Sequence, residues 1–376
     1  MIRSPRGASS PTRHVDLLLV GATIGIAALG LLMVYSSTRR QQTVAGAGVE
    51  PNFYVKRQAL FLIIGLALMV LMVVVDYRVL QDLAPPIYVG TVVLLLLVFS
   101  PLGTAERGAQ AWFQVGSLQF EPSELAKLAL IIGVSAYCAA HRADLDARRL
   151  IVLLGLASVP MVLIYLQPDL GTDMVFGAIL LGTLLVAGAR PKHMAVLGGI
   201  GLLAVLLVLQ LGVLKAYQID RLAAFLDPEG DAQRSAYNLR QSQIAIAAGG
   251  MTGRGVFQGS QTNLSFVPEQ HTDFIFTAVA EELGFLGAAT LLALFALLMW
   301  RTWRTAVLAR DRFGTLVCVG VLSMLAFQVF ENVGMTMGIT PIAGIPLPLV
   351  SYGGSAMLTS FLAIGLVLNV HMRRFS

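Results

Sequence analysis

The chain has 376 residues, of which 56% are hydrophobic and 12% charged, with a formal net charge of +5. An ordinary soluble domain is roughly a quarter charged, so a water-soluble fold is excluded. Apolar runs recur along the whole length. Each is long enough to cross a hydrocarbon slab of about 30 Å at about 1.5 Å of helix rise per residue, which predicts an all-α, polytopic integral membrane protein.

In chain order the predicted transmembrane helices occupy 15–37, 58–75, 84–101, 124–140, 149–166, 172–189, 193–214, 272–300, 313–338 and 349–371. They form a single membrane domain over 1–376, with a large extracytoplasmic loop at 215–271 between spans seven and eight. The positive charge could suggest nucleic acid, but the basic residues sort by side of the membrane instead. With a cytoplasmic N-terminus, Arg3, Arg6, Arg13, Arg78, Arg142, Arg148, Arg149, Arg190, Lys192, Arg301, Arg304, Arg310, Arg312, Arg373 and Arg374 fall inside. Only Arg39, Arg40, Lys56, Arg57 and Arg107 occupy the short outer segments. An even number of spans and two cytoplasmic termini follow. Arg3 to Arg13, the apolar run and Ala45-Gly46-Ala47 have the outline of a cleavable signal peptide, but the run is too long for a signal core. An uncleaved first span is expected. Cys138 and Cys318 both fall within spans and read as packing residues rather than a disulfide or metal site.

Two outer segments are long, about 102–123 and 215–271. In the second, Leu222, Phe225 and Leu226 share one face of a short helix that Pro228 and Gly230 would end. Leu239, Ile244 and Ala247 do the same before Gly249-Gly250. These are short amphipathic helices, either lying on the outer membrane surface or packed on the protein's own spans.

An ionised side chain at a span centre is costly, so such groups face a protein interior or a wet cavity. Glu124 and Lys127 sit three apart at the start of the fourth span, on one helical face, as an ion pair would. Asp169 and Asp173 flank Gly171 between spans five and six. Asp273 opens the eighth span after Pro268-Glu269-Gln270-His271; Glu281 and Glu282 follow inside it, and Glu331 lies in the ninth. The topology brings Glu124, Asp169 and Asp273 to one depth. An acidic cluster there suits general-base chemistry, or a divalent cation, acting on a substrate presented from the outer leaflet. For Asp273 the structural alternative is an N-cap. For Asp173, Glu281, Glu282 and Glu331 it is hydrogen bonding inside the bundle. His271 is a candidate acid or base, or else an interfacial hydrogen-bonding residue. The stretch Pro341 to Pro348 cannot be regular helix, and at membrane depth such backbone must be buried in protein or line a cavity. Ser351 and Ser355 have no histidine positioned to activate them as nucleophiles.

At these residues the chain closely resembles the SEDS family of bacterial shape, elongation, division and sporulation proteins. The matching stretches are FEPSELAKLAL (120–130), LQPDLGT (166–172), RLAAFLDPEGD (221–231), YNLRQSQIAIAAGGMTGRG (237–255), FVPEQHTDFIFTAVAEELGFLG (266–287) and GITPIAGIPLPLVSYGGSAML (338–358). GIPLP and PEQHTDFIF look more like the elongation type, RodA, than the division type, FtsW. The resemblance implies a peptidoglycan glycosyltransferase that polymerises lipid II at the outer face of the bacterial cytoplasmic membrane, with inversion and loss of undecaprenyl pyrophosphate. It implies that Asp273 is the essential aspartate, that Glu124, Lys127 and Asp169 line the substrate cavity, and that Arg221 faces the pyrophosphate. His271 belongs to the same candidate set. It names no certain cofactor and leaves room for a divalent cation (Mg or Mn). A class B penicillin-binding protein, lipid II with its undecaprenyl lipid, and other membrane proteins of the elongation complex are the implied partners, with no nucleic acid. Two positions depart from the family pattern: Glu121 replaces a glutamine, and Ala111 an arginine before Trp112. The rival readings are a lipid II flippase, which would want polar groups from face to face, an FtsW-type division polymerase, and an inactive scaffold.

Overall fold

A computed structural model describes residues 15–44, 52–106, 109–116, 118–141, 146–210, 216–226, 235–264 and 266–375. Arg3, Arg6, Arg13, the Ala45–Ala47 stretch, Arg107, Pro228 and Gly230 lie outside the described residues. The helices are α1 (Leu17–Val44), α2 (Phe53–Val74), α3 (Tyr77–Asp82), α4 (Ala84–Leu97), α5 (Pro122–Ala140), α6 (Ala147–Leu166) and α7 (Leu170–Ala187). They continue with α8 (Pro191–Gln210), α9 (Ala216–Leu226), α10 (Ser235–Gly249), α11 (Ser260–Asn263), α12 (Ile275–Leu308), α13 (Arg312–Met337) and α14 (Gly354–Met372). Each predicted span overlaps a helix; residues 211–214 of the seventh lie outside the described residues, and the tenth begins as a helix only at Gly354. Among the described residues, eight helices are long and apolar enough to cross a membrane: α1, α2, α5, α6, α7, α12, α13 and α14. The third predicted span is the shorter α4, and the seventh is α8.

The bundle is organised around α14, α5 and α13, whose apolar windows are 83%, 72% and 67% buried, against 22% for α2 and 28% for α6. The central three therefore carry the polar residues that lipid would reject, and the peripheral ones are apolar outward.

Between α4 and α5 the chain forms a small antiparallel sheet, β1 (Gly103–Glu106), β2 (Ala109–Val115) and β3 (Leu118–Phe120), in the order β1-β2-β3. Phe113 pairs with Phe120 across β2 and β3, and Gly116 at φ +61° turns the chain between them. The residues by themselves predict only a long outer segment there, because strands of three to seven residues carry little periodicity.

Helix α12 breaks at Gly284, whose φ of 67° and ψ of −166° are accessible essentially only to glycine. The break frees backbone groups that cannot be left unsatisfied in a membrane. The 250–255 segment replaces what is lost. Arg254 N and Gly255 N donate to the carbonyls of Glu281 and Glu282, each at 3.0 Å. In return, Phe285 N and Leu286 N donate to Gly250 O and Met251 O at 2.9 and 3.1 Å. A Cβ at Gly284 would stand 2.2 Å from Gly253 N, so this exchange requires both glycines.

Helix α10 lies on α12 and α13 through Ala236, Leu239, Ser242, Ala245 and Gly249. Ile244 and Ala247, chosen from the sequence as part of its apolar face, are exposed. Close helix approach selects small side chains rather than large apolar ones; a Cβ on Gly249 would meet Ala280 O at 1.9 Å.

Candidate active site

Asp273 sits on the turn that leads into α12. Three consecutive carbonyls of this turn are held by donors from distant parts of the chain. Tyr352 N donates to His271 O at 2.9 Å, Ser351 Oγ to Thr272 O at 2.5 Å, and Asn332 Nδ2 to Asp273 O at 2.8 Å. Asn332, fully buried in α13, also donates to Ile345 O at 2.8 Å, and Ser351 Oγ accepts from Leu347 N at 2.8 Å. The non-helical 341–348 segment and the Asp273 turn are thus clamped to each other. Buried backbone must find partners, and these side chains supply them.

The N-cap position of α12 is Phe274, with no side-chain cap, so the structural alternative for Asp273 is not the one adopted. Its carboxylate is directed at the 343–345 segment instead. A Cβ on Gly344 would lie 3.4 Å from Asp273 Oδ2 and 3.5 Å from Arg221 Nη1. Arg221 reaches over from α9 and donates from Nη1 to Ala343 O at 3.2 Å. Gly344, at φ +75°, leaves room for both head groups. The result is a carboxylate and a guanidinium converging on one point, an arrangement that can accept a proton and stabilise a developing negative charge.

The other face of the 343–345 segment belongs to the second acidic group. A Cβ on Gly171 would be 2.8 Å from Ala343 O and 2.9 Å from the Ile345 side chain, so the first turn of α7 packs directly on this segment. Asp169 caps that turn by accepting from Thr172 N at 3.0 Å. Glu124 and Lys127 form the ion pair expected from their spacing, at 2.7 Å, with side chains 5% and 1% exposed. Glu121 completes the cluster: Glu124, Asp169 and Lys127 all act electrostatically on it, and Ser123 Oγ donates to it at 2.6 Å. Desolvation first, and then the neighbouring carboxylates Glu124 and Asp169, push its carboxyl up to about 8. A neutral carboxylic acid can donate a hydrogen bond as an amide does, which softens its departure from the family's glutamine.

His271 packs its ring at 4.8 Å from Tyr54 and 5.8 Å from Tyr352. Arg57 lies beside the Tyr352 hydroxyl. Of the other acidic residues of the spans, Glu281 and Glu282 have structural partners, whereas Asp173 Oδ1 and Glu331 Oε1 are buried with no hydrogen-bond partner among the described residues. Glu281 accepts from Gln261 N, Thr262 N and Thr262 Oγ1 at 2.7 to 2.9 Å, and Gln270 adds a bond to Thr262. Glu282 accepts from Ser36 Oγ at 2.5 Å and Phe257 N at 3.1 Å. Both carboxylates thereby fix the 257–262 loop to α12. Among the described residues, no group of three His, Cys, Asp or Glu side chains converges on a point that could hold a metal ion. These acids therefore do not by themselves build a divalent-cation cage.

Sequence reasoning missed Asn332, Ser351 as a clamp, and the membership of Glu121 in the cluster. Asn332 did leave a signal, being a polar residue inside an otherwise apolar span.

The family model described as cell cycle protein, covering FtsW, RodA and SpoVE, matches residues 16–375. Stage V sporulation protein E of Bacillus subtilis is 37% identical over 360 residues, covering 94% of this chain and 96% of that protein. Peptidoglycan glycosyltransferase MrdB of Escherichia coli is 38% identical over 311 residues, 82% of this chain and 83% of that one. A solved structure described as the structural coordination of polymerization and crosslinking by a peptidoglycan synthase complex superposes with a TM-score of 0.79 at 32% identity, covering 96% of this chain and 99% of that chain. With nearly its full length matched at these identities, the chain is a polytopic membrane protein that belongs to the SEDS family.

Proposed function

We propose that this protein is an inverting peptidoglycan glycosyltransferase that polymerises lipid II at the outer face of the bacterial cytoplasmic membrane during cell elongation. The observation that carries the reading is the Asp273 carboxylate, carried on a turn whose backbone is clamped and aimed with Arg221 at the space above Gly344. Asp273 takes the proton from the acceptor's sugar hydroxyl as its oxygen attacks the donor's anomeric carbon. The bond from that carbon to the pyrophosphate oxygen breaks, and undecaprenyl pyrophosphate leaves with the electron pair. Arg221 faces the charge that develops on the leaving group. Glu124, Lys127 and Asp169 shape the cavity wall on the other side of the 343–345 segment, and His271 lines its aromatic edge with Tyr54 and Tyr352. Similarity to a relative named peptidoglycan glycosyltransferase supports the reaction.

Both termini are cytoplasmic in this reading, which puts the acidic cluster at the outer leaflet where lipid-linked sugars are presented. Its concentration at one end of the bundle favours chemistry over translocation. The partner is a class B penicillin-binding protein that crosslinks the new strand; the likeness to a synthase complex coordinating polymerization and crosslinking supports this.

Strand synthesis from lipid II by the purified protein with its transpeptidase partner tests the assignment. Asp273→Asn keeps size and hydrogen bonding but cannot act as a base. A positioned base contributes about 10² to 10⁴-fold, so the variant should melt like the wild type and make almost no polymer. Near wild-type polymerisation by Asp273→Asn would remove Asp273 from the reaction.

A further inference from the structure

Helix α13 carries a group of buried oxygens that the reaction does not use. Gln328, Glu331 and Asn332 are 4%, 2% and 0% exposed, within a span where an ionised group is costly. Glu331 and Asn332 stand three and four residues after Gln328, which puts both beside it on one helix face, with Cβ atoms roughly 5–6 Å from its own. Each of the three side chains has a buried oxygen with no hydrogen-bond partner among the described residues: Gln328 Oε1, Glu331 Oε1 and Asn332 Oδ1. Turning the Asn332 amide round would not relieve this, because its nitrogen holds both Asp273 O and Ile345 O, each at 2.8 Å.

Glu331 also lacks a countercharge. The Thr340 hydroxyl donates to its main-chain carbonyl at 3.4 Å and lies beside its carboxylate, and no charged side chain of the described residues acts on it. Glu124, by contrast, has Lys127 at 2.7 Å, and the oxygens of Glu281 and Glu282 are filled by donors from the 257–262 loop and Ser36. A buried carboxylate left alone is strongly destabilising, so its charge must be compensated. A water molecule brings hydrogens but no charge. A proton neutralises the carboxyl, yet its one hydrogen joins Glu331 to a single acceptor and leaves the other amide oxygen bare. A cation takes all three oxygens at once and balances the charge. The donors also fix its kind. Ligands that are all oxygen suit a hard cation, and one carboxylate between two neutral amides balances one positive charge rather than two.

We propose that Gln328, Glu331 and Asn332 hold a monovalent alkali-metal cation inside the bundle, through Gln328 Oε1, the Glu331 carboxylate and Asn332 Oδ1. Asn332 joins this site to the Asp273 turn, since the same amide that offers its oxygen to the ion donates from its nitrogen to Asp273 O. The site is independent of the glycosyltransferase reading.

The test is thermal unfolding of the purified full-length chain, stripped of salt and returned to sodium, potassium, magnesium or N-methylglucamine chloride at one ionic strength. N-methylglucamine carries the charge but is too large to enter. Sodium or potassium should raise the melting temperature by a few degrees over N-methylglucamine, increasingly with concentration, because a ligand that binds only the folded chain stabilises it by mass action. Magnesium should do no better than N-methylglucamine. Glu331→Gln keeps the shape and should remove the alkali response, and Gln328→Leu, which takes away one neutral ligand, should move it to higher concentration. Should Glu331→Gln fail to fold, the wild-type series and Gln328→Leu decide. Equal melting in all four salts, which is what a proton on Glu331 gives, would overturn the proposal. So would an undiminished alkali response in a folded Glu331→Gln or Gln328→Leu chain, or a response to magnesium alone.

Discussion

The Glu124–Lys127 pair offers a sharp test of how charge is tolerated in this bundle. The two groups are 2.7 Å apart, 5% and 1% exposed, and lie on α5, one of the three most buried helices, so solvent screening does little to weaken them. Removing one partner leaves the other charge buried without compensation, which costs about 3–5 kcal/mol. Replacing both by neutral groups of similar size removes the desolvation cost together with the attraction, and is often close to neutral. Glu124→Gln and Lys127→Met should therefore each lower the melting temperature of the purified protein markedly, and the double variant should recover most of the loss. The coupling is read from stability rather than from polymerisation, because the proposed function also puts both residues in the cavity wall, where either change would alter substrate contacts. If the double variant melts at or below the lower of the two singles, the pair is not held by mutual compensation and the argument fails.

Asn332→Leu keeps the volume but strands the carbonyls of Asp273 and Ile345, at about 1–3 kcal/mol for each group. We expect a lower melting temperature and a fall in kcat larger than any rise in KM; unchanged kcat would exclude a positioning role. Glu121 is pushed up from 4.5 to about 8, so between those values the folded chain keeps a proton that the unfolded chain has lost, and stability falls as pH rises through the window. Glu121→Gln should flatten the melting temperature between about pH 5 and about pH 8 relative to the wild type, and parallel profiles would refute the assignment. For orientation, single cysteines at Lys192 and Arg304 should be labelled only from the cytoplasm, and those at Gln110 and Thr340 only from outside. One clear reversal would break the even-span topology and move Asp273 away from the outer leaflet.

Features that depend on short stretches of chain are legible in the residues alone. The apolar helices were legible because a bilayer demands an apolar run of fixed length, which is a local property. The Glu124–Lys127 pair was legible because positions three apart on one helix meet whatever surrounds them. The functional weight on Asp273 and Arg221 came from motifs, and the structure then brought both to Gly344. How these parts are held depends on contacts between segments far apart in the chain. Asn332 reaches Asp273 across 59 residues and Ser351 reaches Thr272 across 79, contacts that no periodicity announces. The exchange of backbone bonds at Gly284 likewise needs the 250–255 segment to arrive beside a broken helix. Spans follow from hydropathy alone, whereas the clamp on Asp273 follows from buried backbone groups having to find donors wherever packing delivers them.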